Sequence, residues 1–409
     1  MTEKLTLLLT TCMFAFSCTS TLYVEVENPT DQDRLPEIIE IPADEIRSHL
    51  GITSEDTFVI TVDNTEVPYQ ITNEGITIFP ATLAGHKKLT YEIKSGVPSE
   101  MTTKACGSHY PDRADDIAWE NDLVGFRVYG YKEDVASGYD LFTKRATDLP
   151  VIPEMYRKVF DPELNEKLNA LMKENKDSAD RFNCDHISFH VDHGYGADCY
   201  AVGPTLGAGI AALLDGETIK YPYCYDTFEI LENGPIRFSI KLTFRPFSIG
   251  EHENVVETRV ITLDVGSHFN KTEITYTNLS QPTPLVSGIV IQDNDEKAVT
   301  DIDLGYIAYP APTINYDKQK DVDNGTIFQG SIFPKQLDEA RIVYFSEEEI
   351  RGTAEGHVLA FSEYDPEEPF VYYWGFGWNH SDIPSYEEWI THVEQYAAQL
   401  RTPIKVTLK

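Results

Sequence analysis

Apolar and polar residues alternate along much of this chain. The clearest run is Ile236-Arg237-Phe238-Ser239-Ile240-Lys241-Leu242-Thr243-Phe244-Arg245, with apolar even positions and mostly polar odd ones. Successive strand side chains point to opposite faces, so this period predicts a strand whose even positions meet a core. β-rich runs at 22–26, 58–62, 258–265, 271–277 and 403–408 read as further strands. Asp63-Asn64 and Asn73-Glu74-Gly75 supply hairpin turns. The pattern predicts a mainly β protein, with a small N-terminal β-sandwich over 19–97 and a larger β-domain over 98–409. Lys94-Ser95-Gly96-Val97-Pro98-Ser99 marks the boundary.

Helical spacing occurs in two places. Behind Asp161-Pro162, Leu164, Leu168, Leu171 and Met172 form one stripe; behind Pro384-Ser385, Trp389, Val393, Tyr396 and Leu400 form another. Both read as docking faces. At the N-terminus, Lys4 precedes an apolar run over 5–16, shorter than the ~20 residues needed to span a bilayer. The run ends at Ala15-Phe16-Ser17-Cys18, which resembles a lipoprotein cleavage site. Residues 1–18 are therefore expected to be a leader, with Cys18 lipidated and the chain exported to the periplasm or outer membrane. A plain secretory signal is the alternative.

Composition narrows the function. The 409 residues suggest about two domains, and 23 Tyr with 20 Phe provide ample apolar surface. A formal net charge of −34 argues against nucleic-acid binding, since a polyanion is repelled. Export permits disulfides among Cys106, Cys184, Cys199 and Cys224, and buried thiols are the alternative. The chain has no nucleophile elbow, P-loop, dinucleotide fingerprint or HExxH motif, so no cofactor is expected and a metal is left undecided.

The densest chemistry lies over 184–200. Read as a strand, Ile187, Phe189 and Val191 face a core, while His186, Ser188, His190 and Asp192 share the other face. His193 then enters a turn at Gly194 and Gly196, with Tyr195 and Tyr200 nearby. A second cluster is Arg113 with Trp119-Glu120-Asn121, leading into a strand in which Val124, Phe126 and Val128 face inward and Arg127 and Tyr129 outward. An indole can stack on a sugar, amide and carboxylate can fix hydroxyls, and Arg can grip a carboxylate with two hydrogen bonds. Arg237, Lys241 and Arg245 form a cationic row that either attracts an anionic substrate or pairs with acids on neighbouring strands. Trp378 and His380, in the aromatic run 372–380, offer another sugar platform.

Trp119-Glu120-Asn121-Asp122 through Gly130, the run from His193-Gly194-Tyr195-Gly196 to Gly209, and Gly375-Phe376-Gly377-Trp378 resemble the domain-of-unknown-function family 4861. The resemblance spans nearly the whole mature chain. It implies a galactose-mutarotase-like supersandwich, an exported role in polysaccharide utilisation, and a link to uronic-acid oligosaccharides. That implies β-elimination at an acidic oligosaccharide, by a lyase or dehydratase. Arg127 or Arg113, with Asn121, would neutralise the carboxylate, and His190 or His193 would take the C5 proton. Tyr200 would protonate the leaving oxygen. Trp119, Glu120, Tyr195, Arg237, Trp378 and His380 would bind the sugar. A glycoside hydrolase using Glu120 or Asp192, and a non-catalytic glycan-binding lipoprotein held to the membrane only by its anchor, are the alternatives. The scheme requires an imidazole from 186–193 and a guanidinium near Trp119 to reach one hollow.

Overall fold

Alternation builds the scaffold as the sequence predicts. In strand Arg237–Thr243 and its flanks, Ile236, Phe238, Ile240, Leu242 and Phe244 are all buried, while Lys241 and Arg245 are exposed. The computed structural model describes residues 20–130, 138–147, 149–222, 224–292, 297–318, 322–348, 350 and 352–409. The predicted leader and Cys18 lie outside these residues.

The N-terminal unit is a small sandwich. One sheet holds Thr21–Glu27, Phe58–Val62, Thr65–Glu66, Lys88–Ser95 and the last strand of the chain, Lys405–Leu408. The other holds Glu37–Pro42, Gln70–Ile71 and Ile76–Ala81. Val24, Ile60 and Ile93 from the first meet Ile41 and Phe79 from the second. Asp63 and Asn64 both have positive φ, 49° and 63°, which gives the primed turn of a two-residue hairpin. The 403–408 run is a strand but does not extend the large domain. Val24 pairs with Leu408 and Val26 with Val406, so the chain returns to its starting sheet.

The larger unit is a β-sandwich. A nine-stranded sheet includes Arg237–Thr243, His252–Asp264, Phe269–Thr277, Phe370–Trp378 and Thr326–Ile332, and faces a five-stranded sheet centred on Thr283–Ile291. Their shared core runs through Ile261, Ile274, Tyr372 and Trp374 on one side and Ala211, Leu285 and Ile289 on the other. Helix Tyr386–Arg401, capped by Ser385 accepting from the Glu388 N–H, buries Trp389 and Val393 against the larger sheet. Helix Pro162–Glu174 behaves differently. Its apolar stripe is only partly covered, with Met172 50% exposed and no residue of the helix buried, so the predicted docking face meets little more than the neighbouring helix Lys176–His186.

A further five-stranded sheet carries the site. Its order is Gly196–Ala197, Asp140–Lys144, Gly125–Val128, Asp116–Glu120, Cys106–Tyr110. Ile117, Trp119, Phe126 and Leu141 point into the main core. The opposite face is roofed by helix Ile152–Val159, through Ile152, Met155 and Tyr156 against Ala118 and Phe142. Both faces are thus buried, which alternation alone does not announce.

The strand predicted over 186–193 is a correction. Residues Lys176–His186 are helical, started by Asn175 accepting from the Ser178 N–H, and a loop follows until Gly196–Ala197. Ile187 and Phe189 are buried, but His186 sits exposed on the helix end. A polar helix followed by an apolar loop mimics strand alternation over these few residues. Among the described residues Cys106, Cys184, Cys199 and Cys224 stand outside any disulfide.

Candidate active site

The covered face of the small sheet is charged. Cross-strand register sets Arg127 beside Ala118 on one flank and Asp140 on the other. Asp116, Glu120, Asp140 and Lys144 therefore share its face with Arg127. Burying this many charges without partners would cost far more than a fold can spare. The sequence supplies partners in two groups.

The first group surrounds Arg127, which is 2% exposed. Its Nε donates to Asp140 at 2.9 Å, and its Nη2 donates to Asp198 at 2.8 Å and to the Tyr129 hydroxyl at 2.9 Å. The Tyr129 hydroxyl in turn donates to Asp140. Asp116 accepts from Arg113 and from the Tyr156 hydroxyl, each at 2.7 Å. The guanidinium lies over the Phe142 and Tyr129 rings at 4.8 and 5.0 Å. Two atoms are buried without a hydrogen-bond partner, Nη1 of Arg127 and Oδ1 of Asp116.

Above this network lies a cavity of about 470 Å³, within the range of small-molecule sites. Arg113, Arg127, Tyr129, His190, Asp198, Tyr200 and Tyr316 line it. His190 arrives from the loop after helix Lys176–His186, with its backbone N–H held by the Ser188 hydroxyl at 3.1 Å. Its Nδ1 lies 2.8 Å from the Asp198 carbonyl. A carbonyl only accepts, so Nδ1 carries the proton and the lone pair of the neutral ring is on Nε2. The ring rests against Tyr316 at 4.6 Å, and its side chain is 28% exposed.

Electrostatics separates these groups. Two guanidiniums face three carboxylates, leaving one excess negative charge when all are ionised. Burial pushes the Asp198 carboxyl above the usual range, aided by Asp140 and opposed by Arg127 and His190. Burial also lifts Asp116, against the pull of Arg127 and Arg113. For Arg127, burial favours the neutral form, but Asp140 and Asp198 outweigh it and hold the cation well above its ordinary range. Burial raises the Tyr129 and Tyr200 phenols well above theirs, so both keep their protons.

The second group is closed. Lys144 donates to Glu120 at 2.5 Å and to the Asn121 carbonyl, and Glu120 also accepts from the N–H groups of Val151 and Ile152 at 2.8–3.0 Å. Glu120 thereby caps helix Ile152–Val159, whose Val151 cap position makes no side-chain bond of its own.

Of the residues singled out from sequence, the cavity gathers Arg113, Arg127, His190 and Tyr200. Tyr200 contributes a wall, while its hydroxyl donates inward to Gln329 at 3.1 Å. The others lie elsewhere. Trp119 is 0% exposed and donates to Asn270 at 2.9 Å, so it is a core residue rather than a sugar platform. Glu120 is likewise sealed. Asn121 donates to the carbonyls of Asp264 and Ser267 and accepts from two backbone N–H groups, which ties the strand end to the main sandwich. His193 donates to the Ser188 carbonyl at 3.1 Å, and the Tyr195 hydroxyl accepts from Lys158 at 3.0 Å. Arg237 is held by Asp264 at 2.6 Å and by Glu40 at 2.8 Å, the pairing alternative for the cationic row. Trp378 is 2% exposed and donates to the Asn324 carbonyl, with His380 packed 5.1 Å from it.

Sequence reasoning missed Tyr129 as a lining residue in its own right, along with Asp140, Asp198 and Tyr316. Asp140 had a signal, because Asp140, Phe142 and Lys144 share one strand face. Tyr316 had none; a distant loop delivers it. Among the described residues no group of three or more His, Cys, Asp or Glu is placed to hold a metal ion, and no helix is long and apolar enough to cross a membrane.

Comparison with known proteins gives likenesses of two kinds. "Uncharacterized protein P7" of Formosa agariphila is 26% identical over 408 residues, covering 94% of this chain and 93% of that one. Two solved structures from Enterococcus faecalis, a protein in glycosyl hydrolase family 38 and an alpha-mannosidase, superpose on 96% and 95% of this chain. Their TM-scores are 0.43 and 0.44, with 8% and 9% identity, and this chain spans about half their length, 48% and 46%. Likeness at that level carries nothing about chemistry. The family model described as "Domain of unknown function (DUF4861)" matches residues 26–406, nearly the whole chain, and the protein belongs to that family.

Proposed function

We propose that this protein is a carbohydrate-active carbon–oxygen lyase acting on a uronate at the end of an oligosaccharide. The observation that supports it is the meeting of His190 and two guanidiniums in one cavity, with Nδ1 of His190 committed to a carbonyl and Nε2 left for a substrate. Arg113 commits Nη1 to Asp116, and its Nε and Nη2 have no hydrogen bond among the described residues. They can take the carboxylate as a two-pronged clamp. Charge developing on that carboxylate is then stabilised, and the C5 proton becomes more acidic.

Nε2 of His190 takes the proton from C5, the C4–C5 double bond forms, and the C4–O bond breaks. The departing oxygen needs a proton. Tyr200 and Tyr316 have committed their hydroxyls to Gln329 and to the Tyr200 carbonyl. Tyr129 also donates, to Asp140, but it is the phenol whose oxygen accepts from Arg127, and that hydrogen bond would stabilise the phenolate left when its proton turns to the leaving oxygen. Tyr129 thus replaces Tyr200 as the acid. If the C4 oxygen carries a sugar the reaction is a lyase; if it carries hydrogen it is a dehydration.

The test is incubation with uronate-terminated oligosaccharides while following the ultraviolet absorbance of a double bond conjugated to a carboxylate. Absorbance that grows in the wild type and not in His190→Ala supports elimination. Reducing ends appearing without absorbance would replace it with hydrolysis, for which the raised Asp198 carboxyl at the cavity wall is the candidate acid. The same reading includes export and lipidation at Cys18, and fatty-acid labelling lost in Cys18→Ser is its check.

A further inference from the structure

One short turn, distant in sequence, touches His190 by two routes. It spans residues 315–318 and is closed by the Lys318 N–H donating to the Asn315 carbonyl at 3.2 Å. The segment is fastened beside the cavity. The Ile314 N–H donates to the Cys199 carbonyl at 2.8 Å, and the Tyr316 hydroxyl donates to the Tyr200 carbonyl at 2.9 Å. The two central residues of the turn then diverge. The Tyr316 ring rests against the His190 imidazole at 4.6 Å, while the Asp317 carboxylate accepts from the Ser188 hydroxyl.

The direction of donation matters here. A serine hydroxyl has one proton and two lone pairs. With its proton given to Asp317, the Ser188 oxygen meets the His190 backbone N–H at 3.1 Å as a pure acceptor. A carboxylate partner makes the first of these bonds stronger than a neutral one would be. Ser188 is 6% exposed, so little water reaches it to compete. Its carbonyl is held as well, by His193 at 3.1 Å. Residues 187–190 lie in neither helix nor strand, so side chains supply the order that a ladder of backbone bonds would otherwise give.

Resting on the reading of His190 as the base, we propose that Asp317 is a positioning residue for the elimination. It acts through Ser188 to hold the His190 backbone. The ring then keeps its Nδ1 bond to the Asp198 carbonyl and aims Nε2 at the C5 proton. Asp317 does not line the cavity, so it makes no contact with the sugar held there. Its loss therefore acts on the proton transfer and leaves the carboxylate clamp of Arg113 intact.

The test compares Asp317→Ala with Asp317→Asn, using uronate-terminated oligosaccharides. Asp317→Ala should lower kcat about tenfold with KM unchanged, because a small misplacement of a reacting group is enough for such a loss. Asp317→Asn, whose amide oxygen still accepts from Ser188, should regain most of it. In a His190→Ala background Asp317→Ala should lower the residual rate no further, since the two act in series. The imidazole nitrogen resonances of His190, read by NMR, should show a single Nδ1-protonated form in the wild type and in Asp317→Asn. Asp317→Ala should show tautomers in exchange. An unchanged kcat, equal losses in both variants, or a further loss without His190 overturns the proposal while elimination itself stands. If no uronate oligosaccharide is turned over, the elimination reading fails, and the resonances alone decide whether Asp317 sets the His190 ring.

Discussion

One face of one small sheet carries two buried ion clusters, and they end differently. In the Glu120–Lys144 cluster, Lys144 meets a carboxylate and a carbonyl, and Glu120 meets two helix-start N–H groups besides. In the Arg127 cluster, Nη1 of Arg127 and Oδ1 of Asp116 are buried with no hydrogen-bond partner among the described residues, and charge is left over. The closed cluster faces a packed helix; the unfinished one opens on a cavity. Buried polar atoms are nearly always paired, and the two left over here belong to the cluster that borders the cavity. A saturated cluster holds the fold together. An unsaturated one of the same residue types is where we propose that the substrate binds.

The comparison can be broken by experiment. The largest effect is expected from Arg127→Met, which strands Asp140 and Asp198 in the interior. It should cost more than the ~3–5 kcal/mol typical of breaking a buried pair, leaving little folded protein by circular dichroism. Glu120→Gln should follow, lowering stability by about 3–5 kcal/mol in denaturant titration, because Lys144 loses its carboxylate and helix Ile152–Val159 its cap. The protein that remains folded should keep its rate. A rate loss per folded molecule would erase the distinction between the clusters. His190→Ala is expected to reverse the pattern, with about 10²–10⁴-fold lower kcat and an unchanged unfolding midpoint. Tyr129→Phe should reduce kcat about a hundredfold, and an unaffected rate would return the acid role to another phenol.

The smallest effect is in the pH dependence of stability. Asp198 and Asp116 have raised carboxyls, mainly through burial, so they hold a proton more tightly folded than unfolded. Stability should fall as pH rises from the ordinary aspartate range through their raised values. Asp192 has the opposite sign. Its burial is outweighed by the N–H groups of Gly196 and Gly194 and by Arg145, which lower its carboxyl. Its contribution is present above the ordinary range and lost as pH falls through the lowered value. Melting curves should show Asp192→Asn flattening the acid side and Asp198→Asn flattening the decline on the rising side, each by on the order of a few degrees.

Much of the scaffold was legible from alternation and caps. The strand at 237–243, the hairpin at Asp63-Asn64 and the helix behind Ser385 are local, since each is decided by neighbours within a few residues. Arg127 and Tyr129 sharing one face followed from the same period of two. The period failed over 186–193, where the helix started by the Asn175 cap ends at His186 and a loop follows, which alternation does not reveal. It also failed for Trp119, because a strand buried on both faces offers no open side on which an indole could meet a sugar.

The sequence by itself determined which residues alternate, where helices begin, and that His190, Arg113 and Arg127 were candidates for one site. Only the tertiary structure decided that Asp140 and Asp198 close around Arg127, that Tyr316 reaches His190, and that the last strand pairs with the first. The physical reason is range. Backbone period and capping act over a turn or a pleat, whereas the partners of a buried charge are chosen by whichever distant segments the packed sheets bring within hydrogen-bond distance.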